Sequence, residues 1–141
     1  MISAGVEMVY LYPMKNQKTI YWIATGIIVV FEGVMPALTG TSEMARAGMA
    51  HLGYPGYFAL MLATFKVVGV LVLALPFVPK TLREWAYGCF VLELISATWS
   101  HAAVDGLGNG QTYFPVVILG ILLTSYFTRN GAYPTSAHPA S

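Results

Sequence analysis

Charge is what this chain most lacks. Only 9% of its 141 residues are charged while 57% are hydrophobic, whereas soluble globular domains carry roughly a quarter charged residues. Too few ionic groups are present to coat a water-facing surface. The net charge is +1, and the seven Lys and Arg residues are scattered among apolar runs. Nucleic acid is excluded as a partner, because it requires a clustered basic patch. Cysteine is nearly absent too. Cys89 stands alone, so no intrachain disulfide, Cys-x-x-Cys redox pair or thiolate zinc site can form, and an apolar setting makes it a small packing residue. His51, His101 and His138 fall in a loop, an apolar stretch and a polar tail. That spacing suits no metal, and His51 reads as a solvated loop residue. The DGLGNGQ segment lacks the lysine and preceding strand of a phosphate loop and reads as a flexible turn. The length admits one domain, and no repeat or low-complexity tract divides it.

What is present in abundance is long apolar sequence. Four such stretches occur, about Thr19–Leu38, Tyr57–Phe77, Trp85–Val104 and Gln111–Thr128. Each approaches the ~20 residues that a helix needs to cross ~30 Å of hydrocarbon. Helices are expected because open strands would leave backbone groups unpaired in lipid. Gly40, Pro76 with Pro79, and Asp105-Gly106 supply the stops between them. The expected fold is therefore all-α: a polytopic membrane protein built as a four-transmembrane-helix bundle. Residues 1–18 form an N-terminal cytoplasmic or interfacial segment, residues 19–128 the membrane domain, and residues 129–141 a flexible tail. The first span is too long, and lacks the cleavage site, for a removed signal peptide. Lys15, Lys18, Lys80, Arg83 and Arg129 fall on one side of such a bundle, and Arg46 alone on the other. The positive-inside rule then puts both termini in the cytoplasm.

Three ionisable residues lie deep in the spans: Glu32, Lys66 and Glu93. Counted from the cytoplasmic end at ~1.5 Å per residue, their depths are about 18–20, 15 and 12 Å, with the lysine between the acids. Each costs about 2.5–3.5 kcal/mol at a helix centre, so they should face inward and pair. A bridge from Lys66 to one or both glutamates is expected. Two acids and one lysine leave a charge over, and the acid farther from Lys66 is the better placed to be a protonated, hydrogen-bonding carboxyl. On a 3.6-residue period Cys89, Glu93, Ser96, Ala97, Ser100 and His101 share one broad stripe. Ser96, Ser100 and His101 are accordingly the candidate polar or ligand-binding face. Pro36 cannot donate to the Glu32 carbonyl, which predicts a kink beside that carboxylate. Ala63 and Gly69 flank Lys66 and permit close helix approach. The same charges also serve equally well as static interhelical ties.

Over Leu52–Gly106 the chain resembles the DoxX-like family of small four-helix membrane proteins. The matching residues are Tyr54-Pro55 before the second stretch, Lys66 with Gly69 inside it and Pro76 closing it. Arg83-Glu84-Trp85-Ala86-Tyr87 opens the third stretch, and Glu93, where an acid is usual, precedes Ser100-His101. The resemblance implies a four-helix bundle. Some relatives are associated with quinone-linked thiosulfate oxidation or oxidative-stress complexes, and a vertebrate relative with assembly of receptor channels. It implies no single catalytic activity and transfers no catalytic residue.

Three functions follow as expectations. The first is a non-enzymatic accessory or assembly subunit, held to a protein partner or a second copy through apolar helix faces. The second is an intramembrane binding protein for a quinone, lipid or other amphiphile, with Phe65 and Trp99 beside the polar contacts. The third is a membrane subunit of a quinone-linked redox system. No cofactor or metal site is evident from the residues, and a bacterial-type inner or plasma membrane is the expected location. A filled interior would favour the accessory role, whereas a cavity beside Glu93 and His101 would favour the binding role.

Overall fold

The computed structural model describes residues 16–133, and among these every regular element is helical. The expected interfacial segment up to residue 15 and the tail from residue 134 lie outside the described residues. The first rod runs from Gln17 to Thr39 in three pieces: α1 (Gln17–Val29), a π-helical turn (Val30–Val34) and α2 (Met35–Thr39). A short helix α3 (Glu43–His51) follows, then α4 (Phe58–Ala74), α5 (Lys80–Asp105) and α6 (Gly110–Ala132). Gln17–Thr39 and Gly110–Ala132 are each 23 residues long and apolar enough to cross a membrane. At ~1.5 Å per residue they extend about 35 Å. Apolar α4 has 17 residues, and α5 has 26 but carries charges at its start, middle and end.

Two local departures from expectation have backbone causes. Beside Pro36, where a kink was expected, the first rod carries a π turn. Proline cannot donate to the Glu32 carbonyl, so the ladder widens one turn earlier, and the Met35 amide bonds the Val30 carbonyl five residues back. The second stretch, expected to reach Phe77, leaves the helix after Ala74. Pro76 excludes helical geometry at the residue before it, and Leu75 is extended at φ −78°, ψ 127°.

The rods pack α1 on α6, α6 on α5, α5 on α4, and α4 on the π turn. Ile28, Val70, Leu73, Tyr87, Phe90, Leu94, Ile118 and Leu122 fill the centre. Two glycines permit this closeness. A Cβ on Gly33 would meet Val70 Cγ2 at 2.5 Å, and one on Gly69 would meet the Phe90 ring at 2.7 Å. A buried hydroxyl chain joins three rods, with Ser125 Oγ 2.7 Å from both Thr25 Oγ1 and Tyr87 OH. At one end of the rods Arg83 donates to the Leu75 carbonyl at 2.9 Å and lies over the Tyr133 ring, while Arg129 pairs with Glu84 at 2.9 Å. That same end brings the start of α1 against the end of α6, where Gly131 abuts Gln17 and Lys18. The exterior is apolar instead: Ile23, Leu38, Phe65, Trp85, Leu92, Trp99 and Phe127 are all well exposed. Charges buried between the rods and hydrocarbon on their outer faces is the arrangement that lipid, as solvent, demands.

Candidate functional site

The site begins with the π turn. An extra residue in that turn accompanies an inward-facing Glu32, whose side chain is 5% exposed. Gly33 beside it lets α4 approach at Val70. Lys66 lies one helical turn before Val70 on the same face of α4, and its Nζ reaches Glu32 Oε2 at 2.5 Å and Glu93 Oε1, from α5, at 3.1 Å. The lysine is 16% exposed and Glu93 20%. The structure thus brings all three sequence-singled charges together, with the lysine between the acids. The two acids are not equivalent. Glu93 is the farther one, and its second oxygen, Oε2, is buried with no hydrogen-bond partner among the described residues.

Above this cluster lies a cavity of about 230 Å³, lined by Glu32, Lys66, Glu93, Ser96, Ser100 and His101, among others. The polar stripe of the third stretch therefore faces one space, although Ser96 spends its hydroxyl proton on the Leu92 carbonyl. Met49 and Leu52, from α3 and the residue after it, cover the cavity together with Tyr54. Tyr54 stacks on Phe58 and shares a 2.8 Å hydrogen bond with Ser100. His51, expected to be a solvated loop residue, is exposed but ends α3, with its Nε2 2.5 Å from Asp105 Oδ1. The other oxygen of Asp105 lies 2.8 Å from His101 Nδ1. Asp105 sits just beyond the third apolar stretch with its side chain only 7% exposed. The hydrogen bond to His101, and next that to His51, hold its carboxyl below the usual aspartate range.

Sequence reasoning treated Asp105 only as part of a helix stop and did not single out Tyr54 as a contact. For Asp105 a signal existed, since His101 and Asp105 stand four apart on one helix face. For Tyr54–Ser100 and His51–Asp105, separated by 46 and 54 residues, none did.

Glu93 and Lys66 also reach a second space, a groove of about 430 Å³ between α4 and α5. Its walls are apolar, including Phe65, Val68, Val72, Trp85 and Phe90, with Gly69 and the exposed Cys89. Cys89 is therefore a groove residue rather than interior packing. Phe65 and Trp99, expected to flank one pocket, part company. Phe65 lines this groove, while Trp99 lines a separate apolar groove of about 540 Å³ between α5 and α6, with Ile95 and Leu119. That third space touches none of the charged trio.

The arrangement offers hydrogen bonding and charge between the rods, joined on one side to a polar cavity and on the other to an apolar slot. A model of the DoxX-like family matches residues 20–125, and the chain belongs to that family. No curated protein and no solved structure matches it. The family, together with the two long apolar helices, makes this a membrane protein in contact with lipid.

Proposed function

We propose that this DoxX-like protein crosses the bilayer four times, with both termini in the cytoplasm, and holds a small amphiphile between its helices. The observation that carries the reading is the position of Glu93, which lines both the polar cavity and the apolar groove. A ligand with one polar end and one hydrocarbon end meets matching surroundings on either side of that carboxylate. A quinone, a lipid or another amphiphile has this form. The apolar exterior supports four spans, and the basic residues near the joined ends of α1 and α6 support the orientation.

An accessory role through apolar helix faces rests chiefly on the α5–α6 groove around Trp99, a surface that lipid chains fill equally well. A redox subunit would draw on the same amphiphile site, with its electron carrier coming from another chain. Native mass spectrometry after gentle extraction separates these readings. A small amphiphile retained on a solitary chain, and lost in Glu93→Gln and His101→Ala, is the expected outcome. A stoichiometric partner chain with no retained small molecule would move the function to assembly.

A further inference from the structure

We infer that the polar end of the ligand is a protonated primary amine, seated against the Glu93 side chain, with its alkyl chain in the groove between α4 and α5. The inference rests on the amphiphile reading above and specifies its head group.

Charge is the first argument. Lys66 is shared by Glu32 and Glu93 at 2.5 and 3.1 Å, so the ionised cluster is one positive charge short. Among the described residues no other cation closes the gap. Arg83 is engaged by the Leu75 carbonyl and the Tyr133 ring, Arg129 by Glu84, and Arg46 faces Glu43. His101, which lines the same cavity, is held by Asp105, which carries its own negative charge. An occupant bearing one positive charge balances the cluster and replaces the proton that one acid must otherwise hold.

Hydrogen bonding is the second argument, and it concerns the same ionised carboxylate. Glu93 Oε1 is taken by Lys66, whereas Oε2 is buried and unpartnered among the described residues. Leaving such an acceptor unmet is costly, and a turn of the carboxyl about its last bond would offer it to an N–H donor. A carboxylate or phosphate head brings only acceptors and like charge to two glutamates. A neutral alcohol would satisfy Oε2 but leave the charge unbalanced. A quaternary ammonium would balance the charge but has no proton to donate. The primary ammonium answers both.

The third argument is the slot. Phe65, Val68, Val72 and Trp85 make an apolar wall that begins at the same carboxylate, and no ionic group other than Lys66 and Glu93 lines it. Beyond those two groups and the Cys89 thiol, its surface is hydrocarbon.

Trp85 provides the readout. The full chain, with Trp22→Phe and Trp99→Phe, is placed in phosphatidylcholine nanodiscs and titrated with 11-bromoundecylamine, 11-bromoundecanol and 11-bromoundecanoate. Bromine in the groove quenches Trp85, and unbrominated undecylamine competes only if quenching is site-specific. Quenching is expected to saturate with the amine at least about ten-fold more tightly than with the alcohol, the effect of one charge-assisted hydrogen bond. The acid should be weakest. Glu93→Gln should erase the preference for amine over alcohol. If that variant does not fold, the three-ligand ranking on the Glu93 protein still decides. Equal saturable binding of amine and alcohol, or tighter binding of the acid, overturns the amine assignment while leaving the amphiphile site intact. Quenching by all three that neither saturates nor competes overturns both.

Discussion

Replacing Lys66 with methionine tests whether the buried charges act as one unit. Methionine keeps the length and apolar stem of the lysine but removes the cation from between two carboxylates at 2.5 and 3.1 Å. Two unit charges 4 Å apart attract by about 4 kcal/mol at an effective dielectric near 20, so the gross loss is several kcal/mol. Desolvation of the lysine, no longer required, returns part of that. Removing one partner of a buried ion pair commonly costs about 3–5 kcal/mol. Here the lower end applies, because the glutamates can take up protons and the unfolded chain in lipid also finds polar partners. We therefore expect Lys66→Met to lose about 3 kcal/mol. The triple variant Lys66→Met, Glu32→Gln, Glu93→Gln removes attraction and desolvation together and should stay within about 1 kcal/mol of the parent. Reversible unfolding in mixed micelles with rising dodecyl sulfate, followed by far-ultraviolet circular dichroism, gives both values. Equal losses in the single and triple variants would refute the paired-charge account.

Three further outcomes follow from other parts of the molecule. Gly69→Ala puts a methyl group 2.7 Å from the buried Phe90 ring and should lower stability by about 1–3 kcal/mol, with Phe90→Leu restoring most of it in the same unfolding assay. The tie from His51 and His101 to Asp105 depresses that carboxyl, so its stabilisation is present above the ordinary aspartate value of about 3.9 and disappears only as pH falls below it. Hydrogen exchange over residues 43–57 should accordingly stay slow to about pH 4 in the parent but be fast at pH 7 in Asp105→Asn; equal protection in the two at pH 7 would dismiss the tie. In a Cys89→Ser background, an impermeant thiol reagent applied to cells should label a cysteine at His51 and spare one at Lys80, and the opposite pattern would invert the orientation.

The parts that could be read from the sequence are those that lipid makes one-dimensional. An apolar run of sufficient length reports a helix, and a charge inside such a run reports an inward face, so Glu32, Lys66 and Glu93 stood out as soon as the runs were drawn. Depth along a helix axis is arithmetic, and it placed the lysine between the acids. Rotation and contact are not one-dimensional. Pro36 announced a missing hydrogen bond at the Glu32 carbonyl, yet a kink and a widened turn answer that loss equally well, and only the packing of Gly33 on Val70 favours the second. The short helix α3 is polar and exposed, and nothing in its composition indicates that Met49 covers a cavity or that His51 meets Asp105. The cavity itself belongs to no segment, since its walls come from the first rod, α4, α5, α6 and the cover between them.

A buried ion trio invites a choice between structural tie and functional site, but the geometry divides those roles between the two acids. Glu32 is the more buried, is the closer to Lys66, and is built into a π turn that Gly33 locks against α4. Changing it alone takes the closer partner from Lys66 at a tight helix contact, which is how a structural pair behaves. Glu93 sits in an unbroken stretch of α5, binds the lysine through one oxygen only, and lines both open spaces. Its neutralisation leaves the Glu32–Lys66 pair standing with matched charges. Glu93→Gln should therefore be well tolerated by the fold while abolishing head-group selection, and Glu32→Gln should do the reverse. If both substitutions instead reduced stability alike and left ligand retention unchanged, the trio would be a single structural clasp, and the cavity above it would need another explanation.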